Sequence, residues 1–234
     1  MIGTLINAAA VLAGGTLGIF LGAHLPARIR QTVVAGLGLF TLAYGLQSFL
    51  KTHNPLVVLG SILLGALLGE WWRIEDGLQW LGAALERRFA ASANESAGRF
   101  VRGFLTASLV FCVGPMTILG SIQAGLNNDI SLLAIKSVLD GFAALAFASS
   151  LGLGVLFSVI VILVYQGGLT LLAAQVQSLA TAVMMDELTA AGGVILIGIA
   201  VSSLLEIKKM RMGNFLPALL VAPLIVWLMS LIGK

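Results

Sequence analysis

From Leu5 to Leu21 the chain runs seventeen residues without a charged side chain. Seven further predominantly apolar runs follow, roughly Thr32–Leu50, Leu56–Glu70, Phe104–Ile122, Leu132–Ser149, Val155–Ala174, Ala190–Leu205 and Asn214–Leu231. About 20 apolar residues in a helix cross the hydrocarbon of a bilayer, and a helix satisfies its own backbone hydrogen bonds there. The recurrence leaves little room for a water-soluble fold. Only 10% of the 234 residues are charged and 59% are hydrophobic. An ordinary soluble domain carries about 25% charged residues, so too few polar side chains remain to cover a watery surface. The expected fold is all-α: a polytopic helical membrane protein of about eight transmembrane helices, forming a single transmembrane domain over 1–234. The runs Leu56–Glu70 and Ala190–Leu205 are short, which leaves open whether they cross fully. The 28 glycines suit close helix packing, and Gly14 and Gly18 have the GxxxG spacing that places both on one helix face.

Between the third and fourth runs the pattern changes. Ile74, Leu78, Leu81, Leu85 and Phe89 recur at three and four residues, while Asp76, Glu86, Arg87 and Arg88 fall elsewhere. This is an amphipathic helix over 74–90, expected on the cytoplasmic surface. Trp71, Trp72 and Arg73 before it read as an interfacial anchor.

Counting basic residues orients the whole. With the N-terminus outside and eight spans, the inner loops hold Arg28, Arg30, Arg73, Arg87, Arg88, Arg99, Arg102, Lys208, Lys209 and Arg211, ten of the thirteen basic residues. The excess of Lys and Arg on one side fits the positive-inside rule and places both termini outside. It also accounts for the net charge of +3 without a nucleic-acid partner. The first run lacks a positive leader and a cleavage site, so it reads as a retained span. An internal repeat, parallel or inverted, is suggested by the glutamates Glu70 and Glu206 at the inner ends of two small-residue spans.

Charged and polar residues within the spans are the candidates for function. Lys136 and Asp140 are four apart, hence on one helix face, and charge at membrane depth is costly enough to demand a polar cavity or a partner. They read either as a substrate or proton site or as a neutralising pair that locks packing. Gly114-Pro115 interrupts the fourth run, because proline has no amide hydrogen and clashes with the preceding turn. The freed carbonyls point to an ion or solute site or to a plain kink. Cys112 and Met116 flank the break with two sulfurs, a weak signal for a thiophilic metal, so a metal stays unassigned. Thr117, Ser121 and Gln123 extend a polar track outward. Gln166, followed by Gly167 and Gly168, places an amide in the sixth span, where it needs a partner. Glu70, with Arg73 as neighbour, is a membrane-edge charge or a gate, and Asn7 poses the same choice. His24 and His53 fall in loops and form no ligand cluster. The single Cys112 excludes an intrachain disulfide. No hydrolase, Walker or dinucleotide signature occurs, so neither an enzyme nor a cofactor is expected.

Several longer stretches carry a resemblance. FCVGPMTILGSIQAGLNND, KSVLDG, YQGG and the closing NFLPALLVAP resemble the uncharacterised bacterial inner-membrane family that includes YqgA and YdfK, DUF554. The resemblance runs from Gly3-Thr4 to the last span. It implies a multi-spanning membrane protein, with transport proposed and the substrate open. It carries over Cys112, Gly114, Gly120, Lys136, Asp140, Gly141, Gln166 and Gly167. Pro115 departs from the small residue expected there, which moves the emphasis to Gly114.

Together these features lead to an inner-membrane transporter of a small solute or ion. Asp140 is its protonatable or cation-binding group, Lys136 balances it, and Gly114 and Gly167 allow close backbone approach. The partners expected are the lipid bilayer, the solute and, in a glycine-rich bundle, further copies of the chain. A channel and a non-transporting scaffold are the alternatives.

Overall fold

The computed structural model describes residues 1–24, 26–89, 98–113, 115–175 and 181–232. Among the described residues the regular elements are helices and there is no strand. We number them α1 (Ile2–His24), α2 (Ala27–Phe49), α3 (Pro55–Trp72), α4 (Ile74–Phe89), α5 (Arg99–Val113), α6 (Pro115–Leu126), α7 (Ser131–Leu151), α8 (Gly154–Leu171), α9 (Ala182–Ile199) and α10 (Ala218–Ile232). A π-helical turn, Ala200–Leu204, extends α9, and a 3-10 turn, Met212–Phe215, precedes α10. Seven of the described helical stretches are long and apolar enough to span a membrane. An eighth arises if the bent pair Arg99–Cys112 and Met116–Leu126 counts as one span. The chain is an all-α, multi-pass membrane protein.

Local chemistry sets several helix ends. The Asn54 side chain accepts the Leu56 amide at 3.1 Å and Pro55 takes the first helical position, so α3 starts there. Arg73, in the left-handed region at φ 53°, ends it. The Thr181 hydroxyl accepts the Met184 amide at 3.3 Å and starts α9. Two of the expected runs change bounds. The run Ala190–Leu205 belongs to a helix that begins eight residues earlier, so Asp186 and Glu187 lie inside α9. The run Phe104–Ile122 ends later than expected, because α6 continues through Leu126. His24 is likewise the last residue of α1, its Nδ1 2.9 Å from the Phe20 carbonyl oxygen, and not a loop residue. The amphipathic segment forms α4 over Ile74–Phe89; Ala90 lies outside the described residues.

Contacts divide the chain into two compact units. The first comprises Met1–Leu37, Leu78–Cys112 and Met116–Val176; the second comprises Gly38–Gly77, Val113–Pro115 and Gln177–Lys234.

In the first unit α1 packs along α7 and also against α8, which touches α7. Gly14, Gly18 and Gly22 bring the α1 backbone against the backbone carbonyls of Gly141, Leu145 and Ser149, where a Cβ would collide. The residue numbers rise together, so α1 and α7 run parallel. The expected GxxxG face is therefore a backbone-to-backbone seam, the close approach that small residues permit between membrane helices. The bent pair also has its place here. Phe100, near the start of α5, lies against Gly154 at the start of α8, while Gly125, near the end of α6, lies against Thr170 near the end of α8. Together α5 and α6 thus run alongside α8 from its start to its end.

In the second unit α3, α9 and α10 pack on one another. Gly65 meets Ala218 and Gly69 meets the Asn214 carbonyl, so α3 runs antiparallel to α10. Gly45 of α2 packs against Gly193 of α9. At one end of this unit, the Glu75 carboxylate accepts the Gly213 amide at 2.7 Å while the Glu75 amide donates to the Asn214 side chain at 2.7 Å. This reciprocal pair ties the first turn of α4 to the 3-10 turn.

Candidate functional site

The chemistry of the first unit gathers where α1, α7 and α8 meet. The tight seam between α1 and α7 sets their register, and Asn7 lies two turns before Gly14 on the same face of α1. By that register Asn7 lies opposite the turn before Lys136, and the carboxylate of Asp140, in the middle of α7, reaches back to it. Asn7 Nδ2 donates to Asp140 Oδ2 at 3.1 Å and to Gln166 Oε1 on α8 at 2.9 Å. One turn before Asp140, the Lys136 ammonium pairs with the same oxygen, Oδ2. All four residues are buried: Asn7 and Gln166 are 0% exposed, Lys136 4% and Asp140 9%. Nearer the N-terminus of α1, the Thr4 and Thr170 hydroxyls lie 3.4 Å apart, and Thr170 also donates to the Gln166 carbonyl at 2.9 Å.

Taking charge out of water is affordable only when it is paired and hydrogen-bonded. The Lys136–Asp140 pair meets that condition and carries no net charge. The amides meet it only in part. Asn7 Oδ1 and Gln166 Nε2 have no partner among the described residues. Two α5 hydroxyls, Thr106 and Ser108, share that condition, but a hydroxyl can rotate toward the carbonyl four residues back. The amide atoms have no such freedom. Asn7 must present its nitrogen to the carboxylate, and Gln166 must then present its oxygen to that nitrogen. One acceptor and one donor are therefore left over, of fixed identity, inside a desolvated cluster.

The structure thus brings Asn7, Lys136, Asp140 and Gln166 together, and Gly167 adjoins them on the α1 side, facing Met1 and Thr4. Cys112 is buried in α5. Thr117 is fully buried and its hydroxyl is engaged: it donates to the Phe111 carbonyl at 3.0 Å. That carbonyl is the acceptor that Pro115, four residues on, has no N–H to serve. Thr117 therefore satisfies the break in the helix. Gln123 is exposed on α6 and does not join the cluster. Gly114 lies outside the described residues. Glu70 is exposed and pairs with Arg211 at 3.3 Å, not with the neighbouring Arg73 that the sequence suggested. Among the described residues no group of three or more His, Cys, Asp or Glu side chains is placed to hold a metal.

A second buried carboxylate escaped the sequence reading as a site. Glu187 of α9 is 1% exposed and accepts three bonds: Thr52 Oγ1 at 2.7 Å, the His53 amide at 2.7 Å and the Asn54 amide at 2.9 Å. Next to it, His53 Nε2 lies 2.9 Å from Asp186 Oδ2 on the exposed side. The loop joining α2 to α3 is thereby held to α9. In the loop between α6 and α7, bonds from Ser131 to the exposed Asp129 hold its carboxyl below the usual range.

Comparison with known proteins agrees with this architecture. The chain is 38% identical over 224 residues to the uncharacterized protein YqgA of Escherichia coli (strain K12), covering 95% of this chain and 94% of the relative. It is 27% identical over 238 residues to the uncharacterized membrane protein YdfK of Bacillus subtilis (strain 168), covering 100% and 99%. No solved structure matches. A family model described as a protein of unknown function matches residues 2–227, and the chain belongs to that family, DUF554.

Proposed function

We propose that this chain transports a small solute or ion across the bacterial inner membrane, with Lys136, Asp140, Asn7 and Gln166 as its binding site. One observation carries the reading: a buried ion pair in the middle of a span, joined to two amides that keep an unused acceptor and an unused donor. A cluster built only to lock helices has no reason to leave both amides half-satisfied at that depth. Ionisable groups within membranes commonly mark substrate and ion pathways. Asp140 is the group that gains or loses a proton or cation, and Lys136 keeps it neutralised between cycles. The excess of basic residues supports an orientation with both termini outside, and the glycine-rich helix faces leave room for homo-oligomers.

The test is flux in reconstituted vesicles, screened with radiolabelled amino acids, organic acids and monovalent cations. The wild type accumulates at least one of them, and Asp140→Asn lowers that flux at least about tenfold, the scale of one charge-assisted bond lost. Undiminished flux in Asp140→Asn across a pH series removes Asp140 from the role. Unitary currents in a planar bilayer make the protein a channel. A wild type without flux, with a Lys136→Met/Asp140→Leu variant that folds and complements a deletion, makes it a scaffold.

A further inference from the structure

The charge balance of the cluster restricts what it can hold. A lone cation bound at Asp140 displaces Lys136 and leaves that ammonium buried and unpaired. A lone anion bound at Lys136 strands Asp140 in the same way. Either outcome incurs the large cost of an uncompensated buried charge. A molecule with both an ammonium and a carboxylate opens the ion pair and strands neither partner.

The amides supply the matching hydrogen-bond pattern. Their orientation is fixed from Asp140 outward, so the unused atoms are an acceptor, Asn7 Oδ1, and a donor, Gln166 Nε2. Asp140 with Asn7 Oδ1 makes a pole of acceptors for an ammonium group. Lys136 with Gln166 Nε2 supplies donors for a carboxylate. Both bonds to Asp140 fall on Oδ2, and its side chain keeps 12% of its surface accessible. Resting on the transport reading of this same cluster, we infer that it binds a zwitterion of the α-amino-acid type.

Equilibrium binding of radiolabelled glycine and L-alanine to the full chain, purified in detergent, tests this. The expected result is saturable binding that acetate, methylammonium and glycine betaine fail to displace at equal concentration. Betaine carries both charges but has no N–H for Asn7 Oδ1. Asn7→Leu and Gln166→Met each weaken binding about tenfold. Should one of these variants fail to fold, the other carries the test, together with the competition series on the wild type. No saturable binding of either amino acid overturns the inference, as does equal displacement by acetate, methylammonium or betaine. In those cases an Asp140-dependent flux of some other solute leaves the transport reading intact. Zwitterion binding without any flux upholds the site and overturns transport.

Discussion

Two of the buried carboxylates among the described residues, Asp140 and Glu187, are held in opposite ways. Asp140 in the first unit is neutralised by a cation, Lys136, and touched by an amide that is itself only half-used. Glu187 in the second unit accepts from a hydroxyl and two backbone amides, at 2.7–2.9 Å. Those three donors come from consecutive residues, Thr52 to Asn54, so Glu187 acts as a clasp on one turn of chain. Its hydrogen bonds are all accounted for by the fold. The Asp140 cluster involves three separate helices and leaves an acceptor and a donor over. A buried polar group saturated by its own fold reads as structure, and one left short of partners reads as a place for something else.

The largest expected effect comes from splitting the Asp140 pair. Asp140→Leu leaves Lys136 buried beside two amides with no counter-charge, at a cost of about 3–5 kcal/mol. Adding Lys136→Met in the same chain removes the stranded charge and recovers most of that loss, because a buried pair contributes little net stability over apolar side chains of similar size. Thermal unfolding in mild detergent measures both. Function does not recover with stability: the double variant binds and transports nothing if the cluster is the site. A double variant with full activity breaks the contrast between the two carboxylates.

Glu187 answers in the other sense. Glu187→Ala strands the Thr52 hydroxyl and two amides next to α3, for about 1–3 kcal/mol. Glu187→Gln keeps one oxygen for the two amides and loses less. Neither substitution changes solute affinity in the protein that remains folded, which equilibrium binding on the purified variants checks. A change in affinity larger than the change in stability would make the second carboxylate part of the site as well.

Much of this is legible in the sequence. The spans follow from apolar runs, the bend from Gly114-Pro115, and the pairing of Lys136 with Asp140 from their spacing of four. Gln166 showed itself as an amide between apolar neighbours. Asn7 stands six residues into the first helix, where a polar side chain usually reaches water, so its position alone does not mark it. The signal was its phase. Asn7 lies seven residues before Gly14, on the glycine face that has to meet another helix. Glu187 was hidden for a different reason. The apolar run Ala190–Leu205 begins after it, and only the Thr181 cap shows that α9 has already begun. What no pattern supplied was pairing between distant residues: that Glu70 meets Arg211, or that Asn7 lies between Asp140 and Gln166. Those pairings depend on which faces the glycine seams bring together.

The smallest expected effect sharpens the contrast from outside it. Glu70 and Arg211 carry the same kinds of charge as the buried pair and stand 3.3 Å apart, but their side chains are 54% and 61% exposed. Water and salt screen such a pair, and holding two long side chains together costs entropy, so exposed ion pairs contribute about 0–1 kcal/mol. Glu70→Gln therefore moves the unfolding temperature little, and raising the salt concentration abolishes even that difference. The same substitution also tests the gate suggested by the position of Glu70 at the end of α3. An edge charge leaves flux in vesicles unchanged. A gate changes flux several-fold while stability stays where it was, and only that divergence would place Glu70 with Asp140 among the working charges.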